Sequence, residues 1–295
     1  MTTLSSPAVA GRRSSLTDYV DLTKPRITLM VVLTAMVGYV VAAPQLRAAG
    51  LLSMALGTGL VAAGASALNM ILERRTDALM LRTCQRPLPA GRLRPSEALG
   101  FGAVLTAAGL LGLAWLTGPL AALVALVTWA SYLFAYTPLK TVTSLSTIVG
   151  AFPGALPPVI GWAAARGTIE PGAVILFSIL FLWQIPHFLA IAWIYREDYA
   201  RGGLPMLPVV DPEGRLTGRQ AVANSLALLL VSLTPAVAGM AGRVYLAGAI
   251  LLGVGLTGMA VRVAVLRNRQ AARGLFLASL GHLALLCTLL ILDRP

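Results

Sequence analysis

Nine apolar stretches, each long enough to span or nearly span a bilayer, run along this chain at about 27–45, 50–72, 96–116, 119–137, 142–162, 171–194, 221–241, 244–261 and 274–292. Inside hydrocarbon every backbone N–H and C=O must find its partner within the protein, which leaves helices or closed barrels as spanning structures. Runs of about 20 apolar residues suit helices, whereas barrel strands need only about 10 of alternating polarity. The sequence therefore predicts an all-α integral membrane protein, a bundle of nine transmembrane helices. With 57% hydrophobic and 12% charged residues, a soluble domain is excluded. The bundle forms one domain, 27–295. An N-terminal segment, 1–26, precedes it, and its stretch 16–26 suits a short amphipathic surface helix with Leu16, Tyr19, Val20 and Leu22 toward the interface.

The cations set the expected orientation. Of the 23 Lys and Arg, all but Arg47, Arg166, Arg243 and Arg294 fall in the N-terminal segment and the second, fourth, sixth and eighth connections. This bias predicts a cytoplasmic N-terminus and cytoplasmic-side active-site loops. It also accounts for the net charge of +12 without nucleic acid, for which no basic, aromatic soluble module is present. Cys84 and Cys287 lie far apart, so no disulfide or metal framework is indicated. The first 26 residues carry no apolar core of a cleavable signal peptide. A bacterial inner membrane is expected. Residues 1–17, rich in Ser, Thr and Arg, leave the mitochondrial inner membrane as the secondary alternative.

Residues 69–95 carry the chemistry. Asn69, Glu73 and Asp77 recur at i, i+4 and i+8, so a helix stacks them along one side. Carboxylates at the end of a membrane helix are costly unless they hold something. Oxygen ligands one turn apart suit Mg²⁺, which takes one or two protein carboxylates plus phosphate oxygens. The arginines that follow suit the phosphates. A second charged loop, 195–208, repeats the pattern: Glu197 and Asp198 follow an apolar span, flanked by Arg196 and Arg201, before Gly202 and Gly203. The structural alternative is that each acid only neutralises a local arginine. The two long connections on one face, about 73–95 and 195–220, hold six of the 11 acids (Glu73, Asp77, Glu197, Asp198, Asp211 and Glu213) and favour a metal-diphosphate site.

The first motif resembles the aspartate-rich motif of the UbiA superfamily of intramembrane prenyltransferases. The run Arg82-Thr83-x-x-Arg86-Pro87-Leu88 resembles the haem-modifying branch of that superfamily, together with Tyr136-Thr137-Pro138-Leu139-Lys140 and Gly154-Ala155-x-Pro157-Pro158-x-x-Gly161-Trp162. Trp183-Gln184-x-Pro186-His187-Phe188, Glu197-Asp198-Tyr199, Pro205-Met206-Leu207-Pro208 and Lys24-Pro25-Arg26 fit the same branch. The resemblance covers about residues 16–210, and the last three spans match in character only. Glu73 stands where many relatives carry Asp. Tyr195 and Tyr199 stand where the wider superfamily has a second Asp pair, and Ser146 stands where Asn is expected.

The resemblance implies Mg²⁺-assisted transfer of farnesyl from farnesyl diphosphate to a vinyl group of protohaem IX, giving haem O, with a hydroxyl added from water. Asn69, Glu73, Asp77 and Asp198 are the implied catalytic residues, and with Glu197 they form the metal side. Lys24, Arg26, Arg82, Arg86, Lys140 and Arg201 are the implied diphosphate partners. Trp183, Phe188 and Tyr136 could face an allylic cation. His187 has two readings, an interhelical contact or a role beside the porphyrin as iron ligand or proton carrier. His282 reads as structural. Implied partners are both substrates, membrane lipid, and haem A synthase or oxidase assembly proteins. Rival readings are a related prenyltransferase acting on an aromatic or quinone precursor, a membrane transporter and a non-catalytic assembly factor.

Overall fold

The computed structural model describes residues 15–294. Among them, nine helices are long and apolar enough to cross a membrane: Pro25–Ala42, Ala48–Leu79, Pro95–Leu116, Pro119–Leu139, Ser146–Arg166, Pro171–Ile194, Arg215–Val237, Arg243–Leu266 and Arg269–Leu292. No strand occurs among the described residues. Consecutive spans pack side by side, and the ninth returns against the sixth and the first, closing the bundle. The nine-helix expectation holds; several boundaries do not.

The largest difference is in the second span. It continues for 32 residues to Leu79, although the sequence suggested a connection starting near residue 73. At 1.5 Å per residue it is about 48 Å long, well beyond the roughly 30 Å of hydrocarbon. Nothing breaks it earlier: no Gly or Pro occurs between Ala65 and Leu79. Glu73 and Asp77 therefore stand on the helix that their spacing with Asn69 predicts, as a continuation of the span itself. The seventh, eighth and ninth spans also begin or end several residues outside the predicted apolar runs, because amphipathic turns with arginine extend each helix.

Two spans are irregular, and the irregularity of the fourth lies beside the end of the second. The fourth changes at Ser131–Tyr136 into a π-helical turn, the kind of bulge that re-aims side chains near functional sites. The fifth breaks at Leu156, ahead of Pro157 and Pro158. By contrast, Pro186 lies inside the sixth span without ending it.

Small residues bring the helices together. The second span meets the third where Gly57 and Gly64 face Gly109 and Gly102, and a Cβ on Gly109 would lie 2.7 Å from the Gly57 carbonyl oxygen. Such close backbone approach is how membrane helices gain contact without a hydrophobic driving force.

The N-terminal helix, Leu16–Leu22, is shorter than the 16–26 stretch and rotated from the sequence reading. Leu16 and Val20 are exposed, but Leu22 is fully buried beside Ala67, Met70, Leu88, Leu93 and Ala98. Tyr19 packs edge-on against Phe101, with ring centroids 5.2 Å apart. Arg92 donates to Asp18 at 2.7 Å, tying this helix to the loop after the second span. That guanidinium holds the Asp18 carboxyl below the usual carboxylate range.

Gly109→Leu forces the second and third spans apart and destabilises the bundle by about 1–3 kcal/mol, the usual cost of overpacking. Thermal unfolding in detergent reads this directly. An unchanged midpoint would show that the close approach is not needed.

Candidate active site at the charged end of the bundle

The second span carries Asn69, Glu73 and Asp77 on one face, with only 1%, 8% and 1% of each residue exposed. A cation from a different part of the chain meets each of them. Lys24 Nζ donates to Asn69 Oδ1 at 2.7 Å, Lys140 Nζ to Glu73 Oε1 at 2.9 Å, and Arg86 Nη1 to Asp77 Oδ2 at 2.7 Å. Burying one of these carboxylates without its partner would cost several kcal/mol. The ladder and its cations therefore form a unit.

Each cation has a local reason for its position. Lys24 precedes Pro25 and takes a left-handed backbone, φ 47°, as the N-cap of the first span. A lysine rarely adopts that conformation, and such strain concentrates at functional sites. Burial pushes its pKa down to about 8, against the pull of Glu73, so it remains mostly charged at pH 7. Lys140 leaves the fourth span just after the π turn. Within that span, the Thr137 hydroxyl accepts from Asn69 Nδ2 at 2.9 Å and donates to the Tyr132 carbonyl at 2.8 Å. Arg86 follows a tight loop in which the Thr83 hydroxyl donates to the Asp77 carbonyl at 2.9 Å.

The donor set suits a hard divalent cation, because two carboxylates and one amide oxygen are stacked at one-turn spacing. Among the described residues, no three Asp, Glu, His or Cys side chains converge. A metal here would thus draw its remaining ligands from water and phosphate oxygens. This matches the way Mg²⁺ binds beside a diphosphate.

The second charged loop is arranged differently from the first. Asp198, on the short helix Arg196–Arg201, accepts from the Leu81 backbone N–H at 3.0 Å and from Arg201 at 2.5 Å. Burial opposes its ionised form, but Arg201 and the Leu81 amide outweigh this and hold its pKa low. Asp198 and Arg201 together latch one charged loop to the other. Glu197 is exposed and lies outside the ladder, as does Arg26. Asp211 caps the seventh span through Thr217, and Glu213 pairs with Arg215 at the surface. Arg82 lies over the rings of Tyr195 and Tyr199, 4.7 and 5.6 Å from their centroids, and donates to the Tyr199 hydroxyl at 3.4 Å. The two tyrosines thus carry a cation where a carboxylate pair would carry a metal.

Deeper in the bundle, the sixth span presents an aromatic wall. His187 stacks on Trp183 with centroids 4.8 Å apart, and it lies 5.1 Å from Phe276 and 5.8 Å from Phe188. Gln184 is buried and donates to the Ala151 and Leu180 carbonyls. His282 is buried in the ninth span, where no side chain among the described residues partners either ring nitrogen.

Sequence reasoning missed three contributors. Thr137 was noted only as part of a motif, although its spacing before Lys140 was visible. The Leu81 amide leaves no side-chain signal, and Ser279, which meets His187, lies in a helix with no motif.

The sequence pattern of the UbiA prenyltransferase family matches residues 31–285. Among curated proteins, the chain is 50% identical to a protoheme IX farnesyltransferase of Solibacter usitatus, over 94% of this chain and 99% of that one. It is 44% identical to one of Koribacter versatilis, over 96% and 95% of the two chains. Among solved structures, the fold matches a digeranylgeranylglyceryl phosphate synthase with a TM-score of 0.79 at 17% identity, covering 94% of this chain and 98% of that one. It matches a UbiA homolog from Archaeoglobus fulgidus bound to GPP and Mg²⁺ with a TM-score of 0.67 at 17% identity, covering 93% and 99%.

If Asp198 latches the two loops, Asp198→Ala frees the Leu81 amide while the ladder stays intact. Hydrogen exchange in residues 80–84 then accelerates by roughly tenfold or more, the equivalent of about 1.4 kcal/mol of lost protection. Unchanged exchange there would return Asp198 to the metal-ligand reading.

Proposed function

The chain belongs to the UbiA prenyltransferase family, and we propose that it transfers farnesyl from farnesyl diphosphate to a vinyl group of protohaem IX, giving haem O. The observation that carries this reading is the buried ladder of Asn69, Glu73 and Asp77, each held by a cation at one end of a lipid-embedded bundle. Likeness to protoheme IX farnesyltransferases over nearly the whole chain supports the choice of donor and acceptor.

Asn69, Glu73 and Asp77 would hold Mg²⁺, which when bound with the donor supplies positive charge to the leaving diphosphate oxygens. The protein's own cations do the rest of the positioning. Lys140 and Arg86 are neutralised by Glu73 and Asp77 in the free protein and turn to the arriving diphosphate. Arg82 of the first loop, fixed by Tyr195 and Tyr199 of the second, reaches it as well. Lys24 completes the cradle from the first span.

Charge stabilised on the leaving group favours cleavage of the allylic C–O bond. The vinyl carbon then bonds to C1 of farnesyl, water adds to the cation left on the porphyrin side chain, and a proton is released. The bundle interior keeps water away until the new C–C bond has formed. His187, in its aromatic pocket at 8% exposure, serves the porphyrin side and not the diphosphate side.

The distribution of Lys and Arg supports a charged end facing the cytoplasm, and the likeness to bacterial proteins supports an inner membrane. Haem O stays in the bilayer, so haem A synthase or an oxidase assembly protein is the expected recipient.

Asp77→Ala and Glu73→Gln each remove most turnover while the protein stays inserted, measured as haem O per amount of protein in the membrane. The loss is on the order of several kcal/mol of transition-state stabilisation, and near-normal activity in both would sink the ladder assignment. Arg86→Gln weakens binding of a non-hydrolysable farnesyl diphosphate analogue by about tenfold, as expected for a lost charge-assisted bond of 1.5–3 kcal/mol. It leaves haem binding in place. Unchanged donor affinity with less folded protein would make Arg86 structural.

A further inference from the structure

His187 lies in the sixth span, and its closest polar neighbour comes from the ninth. Ser279 is fully buried, and its Oγ lies 2.8 Å from His187 Nδ1. The same hydroxyl donates to the Phe276 carbonyl at 2.7 Å, and the Ser279 carbonyl accepts from Trp183 Nε1 at 2.7 Å. One serine of the last helix thus holds both the histidine and the tryptophan stacked on it.

A hydroxyl has one proton to give. If it goes to the Phe276 carbonyl, Ser279 Oγ accepts from His187, and the imidazole carries its proton on Nδ1. The opposite tautomer would place an N–H on Nε2, which makes no hydrogen bond to any described residue. Nε2 is not among the fully buried unpartnered atoms, but inside a membrane span an N–H without an acceptor still costs about 1–3 kcal/mol. The network therefore closes in one direction: Nδ1–H to Ser279, Ser279 O–H to Phe276, and a free lone pair on Nε2.

We propose that Ser279 is a positioning residue that fixes the Nδ1–H tautomer of His187, so that the Nε2 lone pair is available to the iron of a metalloporphyrin substrate. The proposal rests on the reading above that His187 serves the porphyrin. One observation and two rules of metal ligation support it besides the hydrogen bonds. His187 is enclosed by Trp183, Phe188 and Phe276, a wall suited to a flat aromatic macrocycle. A neutral imidazole nitrogen is a good iron ligand. A ligating histidine almost always donates its other N–H to an acceptor that sets its orientation. His282 has no such arrangement: among the described residues no side chain partners either nitrogen, and its only polar neighbour is the Leu252 backbone.

The test has two arms. The chain contains only two histidines, so ¹⁵N-histidine NMR of the purified protein in detergent, without haem, resolves the tautomer once His187→Ala identifies the signals. The expected spectrum shows His187 protonated on Nδ1 and bare on Nε2, and Ser279→Ala converts it to a tautomer mixture. A proton on Nε2 in the unaltered protein, or no change in Ser279→Ala, overturns the proposal.

The second arm titrates ferric protohaem and follows its absorption and EPR signature. His187→Ala should lose the imidazole-ligated signature. Ser279→Ala should weaken haem binding about tenfold or more, with binding of the farnesyl diphosphate analogue unchanged as the control for folding. Ser279→Thr, which keeps the hydroxyl, should recover the signature. An unchanged haem signature in His187→Ala would defeat the parent reading of His187. Loss in His187→Ala, with Ser279→Ala binding haem as the unaltered protein does, would defeat only the role of Ser279.

Discussion

The pairing of buried carboxylates with half-buried cations along the end of the second span governs the arrangement of everything around it. A membrane helix cannot end in Glu73 and Asp77 at this depth of burial unless opposite charge is brought to them. Three separate segments supply that charge: the N-terminal turn at Lys24, the loop at Arg86 and the end of the fourth span at Lys140. Each must be held in register with one helical turn of the second span. The left-handed backbone at Lys24, the π turn before Lys140 and the Thr83 contact at Asp77 are the local devices that do so.

The same pairing explains how such a site could wait for an anionic donor without collapsing. In the free protein, cations and carboxylates neutralise each other. A diphosphate arriving with a divalent metal brings both charges at once, so each group exchanges one partner for another of the same sign and none is left bare. The second loop takes part from outside the ladder. Asp198 ties it to Leu81, and its two tyrosines hold Arg82 of the first loop. The aromatic pocket around His187 begins about two turns of the sixth span below Tyr195, or roughly 12 Å at 1.5 Å per residue.

Much of this was legible in the sequence. Apolar runs gave the nine spans, and the i, i+4, i+8 spacing placed Asn69, Glu73 and Asp77 on one helical face. What failed to show were features that depend on the shape of neighbouring helices. The apolar run ends at 72, but the helix runs on to Leu79 with its polar face met by cations from three other segments, partners that local composition does not reveal. The rotation of the N-terminal helix, which buries Leu22, follows from a contact with residues far along the chain. Asp198 read as a metal ligand because it is an acid at a helix end; its partner is a backbone amide 117 residues away, and backbone donors leave no trace in a motif. Ser279 lay hidden for the same reason, as an ordinary serine in an apolar helix.

The central claim is that this ladder drives farnesyl transfer to protohaem, and the most direct measurement is the mass of haem extracted from membranes containing the protein, supplied with farnesyl diphosphate and Mg²⁺ in ¹⁸O-labelled water. The account predicts a product heavier than protohaem by one farnesyl group and the elements of hydroxide, carrying one labelled oxygen, and absent when both Glu73 and Asp77 are replaced. Unmodified protohaem alongside a prenylated aromatic compound, or a modified haem that forms equally well without the two carboxylates, would contradict it.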